Sequence, residues 1–106
     1  MGKPSQDKGA NGERELAALL RDRGYEIERG GYCYGTKPDL KGLPGVHIEV
    51  KRVERLNVPQ AMKQACTDAE RFQDGAPTVF HRRSREPWLV TMRLQDWLEL
   101  YEKGRG

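Results

Sequence analysis

A chain of 106 residues and 12.1 kDa has room for one domain, and so short a domain leaves enough surface wet for a partner subunit to stabilise it. No apolar run approaches the ~18–20 residues that span a bilayer, mean hydropathy is −0.88, and MGKPSQDKG lacks the apolar stretch and cleavage site of a secretion signal, so a cytoplasmic or nucleoid-associated globular protein is expected. Nineteen Lys and Arg against sixteen Asp and Glu give a net charge of +3, too mild for a histone-like protein, and the placement of the cations matters more than their sum.

Residues 1–10, rich in Gly, Pro, Ser and Lys, are expected to form a flexible arm ahead of one domain over 11–103. Asn11 suits the N-cap of a helix through GERELAALLRDRG, with Gly24 at its C-terminal cap and Leu16, Leu19 and Leu20 as its apolar stripe. Residues 25–29 alternate as a strand does, with Tyr25 and Ile27 on one face, and GGYCYGTKP at 30–38 reads as a loop. The clearest strand is VHIEVKR at 46–52: Val46, Ile48 and Val50 point one way, His47, Glu49 and Lys51 the other, with His47 expected to face solvent.

Asn57-x-x-Gln60 resembles a capping box with Pro59 in the first turn, opening a helix to about Gln73. Its stripe of Ala61, Met62, Ala65, Ala69 and Phe72 predicts close packing on a sheet or another subunit. Strands at 77–82 and 87–92 flank an arginine-rich hairpin, and Leu94–Glu102 closes as an amphipathic helix using Leu94, Trp97, Leu98 and Tyr101. Trp88 and Trp97 are assigned to the core or to a dimer interface. The order α-β-β-β-α-β-β-α predicts an α/β domain with a mixed sheet flanked by helices.

Two cysteines, Cys33 and Cys66, are too few for a disulfide scaffold. With His47 and His81 they lie at spacings that match no zinc motif. Acidic residues offer more. Asp39 follows Pro38, and a hairpin through GLPG at 42–45 would bring it beside Glu49, whose side chain shares a strand face with Lys51 about 7 Å away. Glu-x-Lys alone is ordinarily a solvated strand edge; the upstream Pro-Asp and the common face make it a candidate site. Two converging carboxylates repel unless a cation sits between them. Hard oxygen ligands favour Mg2+ or Mn2+ over zinc. A lysine beside such a metal can orient an attacking water or stabilise charge on a phosphate oxygen. This is equipment for hydrolysing a phosphodiester. Arg52, Arg55, Lys63 and the Arg82-Arg83-Ser84-Arg85 hairpin would supply a phosphate-binding rim that fixes position without reading sequence.

Pro38-Asp39, nine residues, then Glu49-Val50-Lys51 resembles the signature of the PD-(D/E)XK nucleases, and the element order is similar to that restriction-endonuclease-like core. KGANGERELAALLRDRGYEIER resembles the opening of archaeal-type Holliday junction resolvases, and many phage and prophage proteins carry a similar pattern through the arginine hairpin and closing helix. The resemblance covers roughly residues 8–100. It implies a Mg2+- or Mn2+-dependent endodeoxyribonuclease in which Asp39 and Glu49 ligate the metal and the Val50 carbonyl adds an oxygen. Lys51 would act on the water or the scissile phosphate, leaving a 5′-phosphate, and Glu13 would complete the site and the metal shell from the helix. Helical geometry puts Glu13 about 20° from Leu20 and Glu15 about 40° from Leu19, so either could border the core; the resemblance selects Glu13.

The sequence departs from the archaeal enzymes in the loop ahead of Asp39, which reads Tyr32-Cys33-Tyr34-Gly35-Thr36 where they carry a serine. Thr36 could replace the hydroxyl contact, and Tyr34 could stack on an unpaired base. In related nucleases a helix-borne glutamine borders the site, a place Gln64 could take. The resemblance further implies a homodimer acting on branched DNA, four-way junctions above all, because paired nicks across a junction call for two sites related by a twofold axis. The alternatives are a nuclease of ends, flaps or single strands, and a non-cleaving nucleic-acid-binding module of the same fold. The intact trio of Asp39, Glu49 and Lys51 argues against the last.

Overall fold

The structure, a computed structural model, describes residues 4–30 and 38–105, with side chains from residue 11 onward. Tyr34, Thr36 and Cys33 lie outside the described residues. In chain order the elements are α1 (Pro4–Asp22), β1 (Glu28–Arg29), β2 (Leu40–Lys41), β3 (Val46–Arg52), α2 (Val58–Phe72), β4 (Ala76–Arg82), β5 (Leu89–Met92) and α3 (Leu94–Arg105). The described strands form one sheet in the order β1-β2-β3-β4-β5. Pairing is antiparallel throughout except between β3 and β4, which run parallel from Val46↔Ala76 to Arg52↔Arg82. This is the α/β mixed sheet that the residue pattern predicts.

A parallel pair needs a crossover, and α2 supplies it. Asn57 caps it in extended backbone, its Oδ1 accepting from the Gln60 amide at 3.1 Å, with a proline in the first turn. Gln73 ends it in the left-handed conformation. Buried Ala61 and Ala65 pack with Val79 of β4 beneath the helix, with Met62 partly buried beside them. On the opposite face Leu16 and Ala17 of α1 meet Ile27, Leu40, Ile48 and Phe80. Strand alternation thus divides β3 between two helices: Ile48 and Val50 turn to α1, His47 and Glu49 to α2.

Several sequence expectations are corrected. Helix α1 begins at Pro4 and takes in residues assigned to an arm. Proline is favoured at a first helical position, and isolated glycines cost only about 1 kcal/mol each, so nothing forces a start at Asn11. The Asn11 side chain instead accepts from Arg14 Nη1 at 3.0 Å. Leu19 and Tyr25 are exposed, whereas Ala17 is fully buried beside Leu16. The strand expected at 25–29 shortens to two residues, because Arg21 of α1 donates through Nε and Nη2 to the Ile27 carbonyl at 3.1 and 2.7 Å.

The expectation that His47 faces solvent is also corrected: it is 0% exposed, because the face it shares with Glu49 lies under α2 rather than in water. On α3, Leu94 is 70%, Trp97 48% and Tyr101 50% exposed. Trp88 packs against the core, but the apolar face of α3 finds no cover within the described chain. Gly12 completes the placement of α1. A Cβ built there would stand 2.6 Å from Cβ of Arg52, so the missing side chain lets the helix lie directly on β3, one residue from Glu13.

Candidate active site

Three elements bring carboxylates together. Leu40 pairs with Ile48, which sets Asp39 beside the middle of β3, where its Oδ2 accepts from the Val50 amide at 2.9 Å. Glu49 projects from β3 toward α2. Glu13 approaches from α1, near enough that the charge on Asp39 raises its pKa. Asp39, Glu49, Gln64, Asp68, Arg71 and Phe72 line one cleft of about 300 Å³.

Burial pushes the Asp39 carboxyl up to about 6. The Val50 amide opposes that shift, the charge on Glu49 adds to it, and Lys51 and His47 oppose it. Glu13 is also raised, first by burial and then by Asp39, with Arg29 pulling the other way; Arg29 Nη2 lies 3.5 Å from Glu13 Oε1. In both groups burial is the leading cause, so the ionised carboxylates are short of solvation, a deficit that a bound divalent cation can offset. A donor set of carboxylate oxygens fits Mg2+ or Mn2+.

Lys51 Nζ donates to Gln64 Oε1 at 2.9 Å, so the helix-borne glutamine expected near the site touches the motif lysine. His47 hydrogen-bonds Glu49 Oε1 through Nε2 at 2.8 Å and both oxygens of Asp74 through Nδ1 at 2.8 and 2.9 Å. Its ring stacks on Phe72 with centroids 6.4 Å apart. Burial alone would lower its pKa; the hydrogen bonds to Glu49 and Asp74 more than offset this and hold it above the ordinary imidazole value. Atoms of His47, Glu49 and Asp68 also come within 4.8 Å of one another.

Asp68 and Asp74 are residues that sequence reasoning missed. A signal for Asp68 existed: it follows Gln64 by one further helical turn, on the same face. Asp74 follows the C-cap of α2, and no local pattern ties it to a residue 27 positions earlier.

The basic residues divide. Arg52 and Arg82 are register partners on the face turned to α1. Glu15 Oε1 lies 2.6 Å from Arg82 Nη1 and 3.8 Å from Arg52 Nε. These two arginines, expected on the phosphate rim, are half-buried and paired with Glu15; strand alternation turns Arg52 away from the Lys51 face, while Arg82 borders the hairpin cleft. Arg55, Lys63, Arg83 and Arg85 are exposed. A second cleft of about 400 Å³, lined by Arg55, Leu56, His81, Arg83 and Leu89, runs along the hairpin. A groove containing Lys51, Arg55, Gln60 and Gln64 joins it to the acidic cleft.

Comparison with known proteins places this geometry. No curated protein matches the chain. Among solved structures, the chain is similar to Hjc of Archaeoglobus fulgidus, "a Holliday junction resolvase from an archaeal hyperthermophile", at 26% identity and a TM-score of 0.56, covering 80% of this chain and 72% of that one. The family model described as "Archaeal holliday junction resolvase (hjc)" matches residues 4–104. With Asp39, Glu49 and Lys51 gathered beside one cleft and the match running over nearly the whole chain, the protein belongs to the archaeal Holliday junction resolvase family.

Proposed function

We propose that this protein is a Mg2+- or Mn2+-dependent endonuclease that cuts phosphodiester bonds in four-way DNA junctions as a homodimer. The observation that carries the reading is the convergence of Asp39, Glu13 and Glu49 beside Lys51, in which the half-buried carboxyl of Asp39 is raised to about 6 and its charge in turn raises Glu13. A divalent cation bound there would neutralise phosphate charge and make water a stronger nucleophile. Asp39 and Glu49 would hold it, with the Val50 carbonyl and Glu13 as its further oxygen ligands.

Lys51 supplies a positive charge to the scissile phosphate or holds the attacking water, and Gln64 fixes its ammonium. The bridging groove leads from this cleft past Lys51 and Arg55 to the arginine hairpin. A DNA backbone lying along it would meet cations at Arg55, Arg83 and Arg85, with Lys63 on the flanking helix. Thr36 and Tyr34 are assigned to the same substrate, as hydroxyl and stacking contacts. Such contacts position the strand and carry no sequence code.

A twofold pair of subunits gives two such sites. The uncovered apolar residues of β5 and α3, Leu89, Val90, Leu94, Trp97 and Tyr101, are the surface we assign to that pairing. We assign the protein to the cytoplasm of a bacterial or phage-infected cell, in keeping with a DNA substrate. The deciding experiment incubates pure protein and Mg2+ with labelled four-way, flap, duplex and single-stranded DNA. Paired nicks in the four-way substrate are expected; cutting confined to flaps, ends or single strands overturns the junction assignment.

A further inference from the structure

Glu49 is not alone in its pocket. The neighbouring His47 is wholly buried, and both its ring nitrogens face carboxylates, Nε2 on Glu49 and Nδ1 on Asp74. The ring thus bridges two carboxylates, 2.8 Å from Glu49 Oε1 and 2.8 Å from Asp74 Oδ1, and cannot turn without breaking one of these contacts.

A side chain present at this position merely to fill space would be apolar, as Ile48 and Val50 are on the other face of β3. A buried polar triad costs desolvation that a packed hydrocarbon avoids. Its presence points to what the ring does to Glu49: it fixes one carboxylate oxygen in direction.

We propose that His47, braced by Asp74, is a positioning residue that orients the Glu49 carboxylate for the cation, holding Oε1 so that Oε2 is left for the metal. This rests on the metal-dependent reading above and deepens it. Groups that orient a metal ligand from behind have large effects, typically 10–100-fold in metal affinity or activity. Asp74 acts from the turn between α2 and β4, so the packing of that turn is coupled to the chemistry. His47 is a donor in this arrangement and not itself a ligand, since each ring nitrogen already has a carboxylate within 2.8 Å.

The test measures Mn2+ binding to the DNA-free full chain by titration calorimetry, alongside melting curves. His47→Leu should weaken Mn2+ binding about 10-fold or more. His47→Gln, whose amide can still donate to Glu49, should recover part of that loss. Asp74→Asn, at a partly exposed turn where folding is secure, should weaken binding several-fold. In a Glu49→Gln background, His47→Leu should add nothing further. If His47→Leu and Asp74→Asn lower the melting temperature but bind Mn2+ as the unmodified protein does, the pair is structural and the proposal is overturned. It is equally overturned if His47→Gln loses all binding while Asp74→Asn loses none, because His47 would then be a ligand. An unmodified protein that takes up no Mn2+ sinks the metal-dependent reading itself along with this one.

Discussion

The Val50 amide donates to Asp39 Oδ2 at 2.9 Å, a bond that locks the short β2 segment to the central strand and aims a half-buried acid at the cleft. Burial nonetheless holds the folded carboxyl near 6, against 3.8 for the ordinary side chain. The folded state thus binds this proton more tightly than the unfolded one, and stability falls as pH rises between these values. Asp39→Asn should raise the melting temperature at pH 8 by several degrees, on the order of 2 kcal/mol. The gain should vanish near pH 4. Cleavage by the unmodified protein should rise with pH through about 6, as Asp39 becomes a metal-binding carboxylate. A stability gain that persists unchanged at pH 4 would count against this assignment.

Glu13 and Glu15 are separated by function as well as by face. Glu13→Gln should lower cleavage by at least tenfold while sparing stability, because its raised carboxyl faces Asp39. Glu15→Gln should act the other way: it loosens Arg82 and Arg52, costs about 1 kcal/mol or less at so exposed a carboxylate, and leaves the rate of the chemical step unaltered. Single-turnover rates and urea melts on both variants decide the matter.

Arg83 and Arg82 are neighbours with different duties. Arg83→Ala should weaken binding to every DNA form and reduce the slope of log affinity against log salt by about one. Arg82→Ala should leave that slope nearly intact and destabilise the fold, since its guanidinium ties Glu15 to the Glu86 carbonyl. Fluorescence anisotropy across a salt series separates the two.

Glu49→Gln and Lys51→Ala should each abolish cleavage in Mg2+ yet retain junction binding within a few-fold. Ca2+, whose looser coordination positions water poorly, should support binding with little cutting. Gel-shift and cleavage assays on the same samples check this. Cutting by Glu49→Gln in Mg2+ would remove the motif glutamate from the site.

Trp97→Glu places a charge on the exposed apolar face of α3 and should shift the protein to a monomer in sedimentation velocity. Paired nicks across a junction should then give way to uncoupled single nicks. A monomeric unmodified protein would instead favour ends or flaps.

Much of the site is legible in sequence because its logic is local. The two-residue period of β3 sets Glu49 and Lys51 on one face, and the Pro-Asp upstream reaches them through a short turn. Asn57 and the alanine spacing likewise mark out α2 on local grounds alone. What the residue pattern does not reveal depends on which face the crossover covers. His47 alternates with Glu49 as expected, but only the parallel pairing of β3 with β4 lays α2 over both. Arg52 and Arg82 look like any surface arginines until their register shows them sharing Glu15. The exposed face of α3 has the periodicity of a buried helix, and periodicity cannot tell cover by the same chain from cover by a second one.

The bare backbone at Gly12 has a consequence for protein engineering. Alanine is favoured over glycine in a helix interior by about 1 kcal/mol, so a stabilisation screen would rank that exchange highly. Here a methyl group would collide with the stem of Arg52 and lever the helix outward, carrying its acid away from the cleft. Whatever that exchange did for helix propensity, the expected casualty is turnover: at this position the closeness of helix to strand, which only a bare backbone permits, is itself a working part of the enzyme.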